Sequence, residues 1–208
     1  MGPTLRAAAV AFGGVGRTAK QRIRAQRRAS RRDIAATRDL AADGERLAVV
    51  ILPLLEALEI GPGDSVTAYE PFPEEPQVQE VCRLLTARGA RILVPITLST
   101  FDLEWTDLAD PARNPLGENA IGECRLVLVP GLSVDTSGTR IGQAGGCYDR
   151  ALPRTRPGAT VVAVLHPGEL LPYPLPHDSW DQPVDAVLTA DGLAWTAHGI
   201  ARHGPHSP

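Results

Sequence analysis

The run Arg140-Ile141-Gly142-Gln143-Ala144-Gly145-Gly146-Cys147-Tyr148-Asp149 combines one fixed cation, three glycines and an acid within a single turn-rich stretch. It follows the apolar stretch 126–129 and precedes residues 147–152, which read as the first turns of a helix. Glycines ahead of a helix start let backbone N–H groups approach an anion closely, and the helix dipole adds favourable potential. Arg140 supplies a charged partner for phosphate oxygens. The spacing matches neither the P-loop nor the dinucleotide fingerprint, so glycines that merely permit a tight turn remain an alternative. Lys20 is the only lysine among 21 lysine and arginine residues. A chain that uses arginine elsewhere and keeps one lysine points to a need for a compact ammonium there. Lys20 and Arg24 are four apart and share a helix face. A solvated basic face is the competing reading, since Arg27, Arg28, Arg31 and Arg32 follow. Cys147 falls near a helix start, where thiolates are stabilised, but no histidine adjoins it and a nucleophile is not expected. His166 and His177 are expected at a pocket edge or on the surface.

These residues need a scaffold, and the composition sets its kind. At 208 residues and 43% hydrophobic, the chain can bury a core as one domain. A net charge of −3 gives no pull toward nucleic acid or an anionic membrane, and neither is expected as a partner. Three unevenly spaced cysteines supply neither a disulfide framework nor zinc-ligand pairs, and a reducing cytoplasm is the expected setting. No apolar run is long enough to span a bilayer. Residues 1–17 are expected to be a disordered leader, residues 18–197 the folded domain and residues 198–208 a loose tail.

Helical composition runs from 18 to about 38, and a second helical stretch runs from 43 to about 58, with a break expected at Pro53. Short β-like runs lie at 65–69, 91–96, 126–129 and 160–165, with a fifth at 186–189. Several are continuously apolar, as parallel strands covered on both faces are. Residues 77–88 form an amphipathic helix between the first two, which makes a βαβ unit. Residues 97–108 alternate apolar with polar and read as a hairpin excursion. The expected fold is α/β: one three-layer α/β/α domain around a mostly parallel sheet.

The stretch Val129-Pro130-Gly131-Leu132-Ser133-Val134-Asp135, then Gly138, then 140–152, resembles the signature of the 5-formyltetrahydrofolate cyclo-ligases. It departs at Val134, at Cys147 in place of an aromatic, and at Ala144 in place of a glycine. A Cβ at Ala144 is expected to block positive φ and narrow the approach of a phosphate. The family's Lys-x-x-Leu-Arg is matched by Lys20-Gln21-Arg22-Ile23-Arg24. Glu75, Gly89 and Pro95 fall in register with a third block, with Gln77 and Val78 where Asp and Thr are usual. Leu175 through Thr189 matches a fourth, with Trp180 replacing histidine. The family's Ile-Pro-Glu-Pro element is met only by Leu116-Gly117-Glu118-Asn119.

The resemblance implies ATP bound by Lys20, Arg24, Arg140, Gly142, Gln143, Ala144, Gly145, Gly146, Cys147, Tyr148 and Asp149. It implies a folate held by Glu75 and Tyr148, catalytic roles for Lys20, Arg140 and Tyr148, and Mg²⁺ on Asp149 and Asp181. The implied reaction is the ATP- and Mg²⁺-dependent closure of 5-formyltetrahydrofolate to 5,10-methenyltetrahydrofolate with release of ADP and phosphate. The folate could carry a polyglutamate tail, and a monomer is expected. A diverged relative that binds folate or nucleotide without ring closure is the competing reading, motivated by Ala144, Val78 and Trp180. A sugar-phosphate isomerase or acyl-CoA transferase rests on architecture alone.

Overall fold

The computed structural model describes residues 5–204, with side chains from residue 19 onward. The chain begins with a long helix, α1 (Leu5–Thr37). It starts thirteen positions before residue 18, where the sequence predicts the end of a loose leader. The alanine-rich stretch from Leu5 to Phe12 has strong helix propensity, enough to carry Gly13, Gly14 and Gly16 at about 1 kcal/mol each relative to alanine.

Asp39 caps α2 (Leu40–Val50), accepting from the Ala41 and Ala42 amides. Pro53 then does what its missing N–H requires: the helix breaks at Ile51 and restarts as α3 (Leu52–Ala57), with proline in its first turn. The first parallel unit is β1 (Ser65–Thr67), α4 (Gln79–Ala87) and β2 (Arg91–Thr97). β3 (Leu103–Asp107) returns antiparallel on β2, as the 97–108 hairpin predicts. β4 (Cys124–Pro130), β7 (Thr160–Val164) and β9 (Ala186–Thr189) complete the parallel core, and β10 (Gly192–Trp195) closes the other edge antiparallel. The order is β10-β9-β7-β4-β1-β2-β3.

Alternate residues of the apolar strands feed opposite faces. Val66, Leu126, Leu128, Val162 and Val164 pack with Leu47, Leu54, Val81 and Leu85 from α2, α3 and α4. Val127, Val129, Val161 and Ala163 pack on the other side with Trp105, Ile121, Ala151 and Leu152. That face is covered by short pieces, among them α5 (Cys147–Ala151).

A second sheet escapes sequence detection because its strands have two or three residues, too few to show a period. It has the order β6 (Arg140–Ile141), β5 (Ser133–Asp135), β8 (Leu170–Leu171). Its small core of Leu132, Ile141, Leu171 and Leu175 receives Ile23, which seats α1 against it. The expected loose tail is also ordered in part. α6 (Ala197–His203) is capped by Thr196, and Arg202 donates to both oxygens of fully buried Asp185 at 2.9 and 2.8 Å. Residues 205–208 lie outside the described residues.

Candidate active site

The chain leaves β1 toward one edge of the sheet and β4 toward the other, so the C-terminal ends of β1 and β4 flank a switch point. Open α/β sheets form their ligand crevice at such a point. A cavity of about 320 Å³ lies there. Twelve of the thirteen site residues expected from the sequence line it: Lys20, Arg24, Glu75, Arg140, Gly142, Gln143, Ala144, Gly146, Cys147, Tyr148, Asp149 and Asp181; Gly145 does not.

The glycine-rich wall follows β6. Gly145 and Gly146 take φ of +79° and +65°, left-handed values that glycine alone adopts without strain, while Ala144 is not among the positive-φ residues. The expected block of positive φ at Ala144 is therefore corrected: the two left-handed positions fall on the glycines that follow it, while Ala144 still lines the cavity. Arg140 is buried, donates from Nη1 to the Pro130 carbonyl and from Nη2 to Asp149 Oδ1, both at 3.2 Å, and lies 5.6 Å from the Tyr148 ring centroid. The Tyr148 hydroxyl is buried without a hydrogen-bond partner among the described residues. Burial pushes its pKa well up, opposed by Arg140 and reinforced by Glu75. The phenol stays neutral and keeps a donor for a ligand.

α1 forms the facing wall. Lys20 Nζ sits 2.7 Å from Asp178 Oδ2 and contacts Asp181 Oδ2 more closely, and the Asp178 amide donates to that Asp181 oxygen at 2.7 Å. One turn on, Arg24 Nε donates to the Gly142 carbonyl at 3.1 Å. Arg28 holds the next residue of the loop, donating to Gln143 Oε1 at 2.9 Å and to the Gln143 carbonyl. The helix thus holds the glycine segment at two consecutive residues.

Glu75 is 4% exposed. It is no helix cap, since α4 begins at Gln79 with Val78 at the cap position. Its Oε2 accepts from the Phe72 amide at 3.1 Å, and its Oε1 lies 3.9 Å from Arg31 Nη1. Gln77 secures the same loop, donating to the Phe72 and Glu75 carbonyls at 3.2 and 2.7 Å.

Arg31 is a functional candidate that the sequence does not reveal. It is 1% exposed, donates to Glu169 Oε1 at 2.9 Å and Oε2 at 2.5 Å, and donates to the Gly131 carbonyl at 2.5 Å. The available signal was spacing: Lys20, Arg24, Arg27 and Arg31 recur at i, i+4, i+7 and i+11 along one helix face. His166 is buried, not at an edge; its amide donates to Glu169 Oε2 at 2.9 Å and its Nε2 is 3.0 Å from the Glu74 carbonyl. His177 is exposed. Asp178 was missed, Trp180 is 62% exposed, and residues 116–119 do not line the cavity.

Asp149 takes both of its described hydrogen bonds on Oδ1, from Arg140 and from the Gln182 amide at 3.2 Å. Among the described residues, no group of three or more His, Cys, Asp or Glu side chains is arranged to hold a metal ion. No described helix is long and apolar enough to cross a membrane.

A doubly wound sheet with a cavity at its carboxyl edge, where Lys20, Arg24 and Arg140 face Glu70, Glu75, Asp149 and Asp181 beside a glycine-rich wall, is the architecture of an α/β enzyme. The chain belongs to the 5-formyltetrahydrofolate cyclo-ligase family, whose model matches residues 17–190, and it is a ligase. It is 34% identical over 152 residues to the 5-formyltetrahydrofolate cyclo-ligase of Mycolicibacterium smegmatis, covering 65% of this chain and 77% of that one. Its fold matches the 5,10-methenyltetrahydrofolate synthetase of Mycoplasma pneumoniae with TM-score 0.66 and 18% identity, over 82% of this chain and 98% of that one. The corresponding protein of Aquifex aeolicus matches with TM-score 0.67 and 19% identity, over 90% and 98%. At such identities the likeness is one of fold.

Proposed function

We propose that this enzyme closes 5-formyltetrahydrofolate to 5,10-methenyltetrahydrofolate at the expense of ATP. The observation that carries the reading is the convergence of Lys20, Arg24 and Arg140 on the same cavity as buried Glu75. The formyl oxygen on N5 attacks the γ-phosphorus of ATP and ADP leaves. N10 then attacks the activated formyl carbon and loses its proton, and expulsion of phosphate leaves the methenyl bridge.

Such a transfer requires positioning and charge neutralisation more than acid–base groups. Lys20, Arg24 and Arg140 neutralise the triphosphate, and the Gly142 and Gly146 backbone on the cavity wall is offered to it. Lys20 must exchange Asp178 and Asp181 for phosphate oxygens as nucleotide enters. Glu75 accepts from the N–H donors of the pterin, and Tyr148 stands between the two ligands. Asp149 and Asp181 would hold magnesium, since their carboxylates are the hard oxygen donors that suit it. When bound there, Mg²⁺ supplies charge neutralisation on the phosphate oxygens. Cys82, Cys124 and Cys147 are all free thiols, as a reducing cytoplasm would keep them.

The ATP- and Mg²⁺-dependent rise of methenyltetrahydrofolate absorbance from 5-formyltetrahydrofolate tests this reading. ATP binding by calorimetry with no product would favour the non-catalytic alternative. Of the motives for that alternative, Trp180 does not line the cavity, whereas Ala144 does, without left-handed strain.

A further inference from the structure

We propose that Phe101, at the tip of the β2–β3 hairpin, is a positioning residue that braces the Gly145–Gly146 backbone from behind for nucleotide binding. The inference rests on the nucleotide reading of the glycine segment and adds to it a part of the molecule outside the cavity. Phe101 has φ +66°, a left-handed value that a bulky aromatic side chain adopts only when its surroundings impose it. Burial does not supply the reason, because the residue is 55% exposed.

The hairpin turn itself accommodates a left-handed residue at this position, and the glycine segment's own helix adds further restraints. Arg150 of α5 donates from Nη2 to the Phe101 carbonyl at 2.5 Å and from Nε to Asp102 Oδ1 at 2.9 Å. Its amide bonds the Gly146 carbonyl at 3.1 Å. Within the tip, Phe101 N donates to the Leu98 carbonyl at 2.9 Å and Leu98 N to the Asp102 carbonyl at 3.0 Å. The hairpin tip and the left-handed glycines are therefore one bonded unit.

The ring has a definite place in that unit. A Cβ built on Gly145 would meet Phe101 Cδ1 at 3.1 Å, and one built on Gly146 would meet Arg150 Nη1 at 3.4 Å. Ring and guanidinium thus lie against consecutive left-handed glycines. Gly142 and Gly146 line the cavity, whereas Phe101 and Gly145 do not. Two successive glycines are the loosest backbone a ligand can be asked to order, and ordering them costs binding free energy. A ring held against them removes part of that cost in advance.

Phe101→Gly separates this role from a structural one, because glycine relieves the backbone while removing the ring. The variant is expected to keep or raise the melting temperature while ATP affinity falls about five- to tenfold by calorimetry. Affinity for 5-formyltetrahydrofolate stays as in the wild type. Amide exchange at Gly145 and Gly146 in ligand-free protein rises about tenfold. Phe101→Tyr, which keeps the ring, restores both readouts. Unchanged exchange at the two glycines overturns the proposal, as does a loss of melting temperature with parallel loss of both ligands. Wild-type protein that binds no ATP would sink the nucleotide reading itself, and the exchange measurement would still decide whether Phe101 braces the loop.

Discussion

Residues 140–149, Gly145 excepted, make one wall of the cavity from a single stretch, whereas the wall around Glu75 is assembled from stretches far apart in the chain. The first wall owes its shape to glycine: two successive left-handed φ values turn the backbone, and cations from α1 and β6 surround it. The second owes its shape to burial. Glu75 and Glu169 are 4% and 1% exposed and share Arg31, the one guanidinium described near both. A loose wall can close around a flexible phosphate chain, while a wall of buried ions holds a carboxylate in one place. In the proposed reaction the nucleotide belongs to the first and the rigid ring system to the second.

Breaking the first wall at its acid gives the largest expected effect. Asp149→Asn keeps a partner for Arg140 and Gln182 but removes the anion offered to the metal. We expect kcat to fall by about a hundredfold or more, with the melting temperature little changed. Steady-state rates against Mg²⁺ concentration check this, and a variant with normal turnover would remove Asp149 from the site.

Breaking the second wall should act on stability first. Arg31→Met leaves Glu169 and Glu75 buried without their cation, at an expected cost of about 3–5 kcal/mol. Urea midpoints measure it. A loss within about 1 kcal/mol, the range of an exposed pair, would mean that the network is peripheral.

This asymmetry also explains what the sequence made legible. The parallel core was readable because β4 and β7 are continuous apolar runs, and the break at Ile51 because Pro53 forces it. Residues 140–149 announced themselves through local chemistry, and Lys20 through being the only lysine. Arg31 read as part of a solvated basic stretch because its partner lies 138 residues away, and no local pattern encodes that pairing. Asp178 was passed over for the same reason, since its partner Lys20 is 158 positions distant. At Ala144 the difficulty was finer: composition shows where a glycine is missing but not which residue carries the positive φ.

A smaller effect sharpens the comparison. Burial pushes the Cys82 thiol up to about 11 and the Cys124 thiol up to about 12, so both should resist alkylation at neutral pH. Cys147, half-buried on the cavity wall, should react first, and ATP should slow it by about fivefold or more. Mass spectrometry of iodoacetamide-treated protein reads the order. Equal labelling of Cys147 with and without ATP would argue that the nucleotide does not cover that wall.

The division of labour between the walls is tested most directly by calorimetry of ATP and 5-formyltetrahydrofolate on Lys20→Ala and Glu75→Gln. Lys20→Ala should weaken ATP by about tenfold or more and leave the folate unchanged, and Glu75→Gln should do the reverse. Equal losses of both ligands in both variants would contradict the assignment of one wall to each.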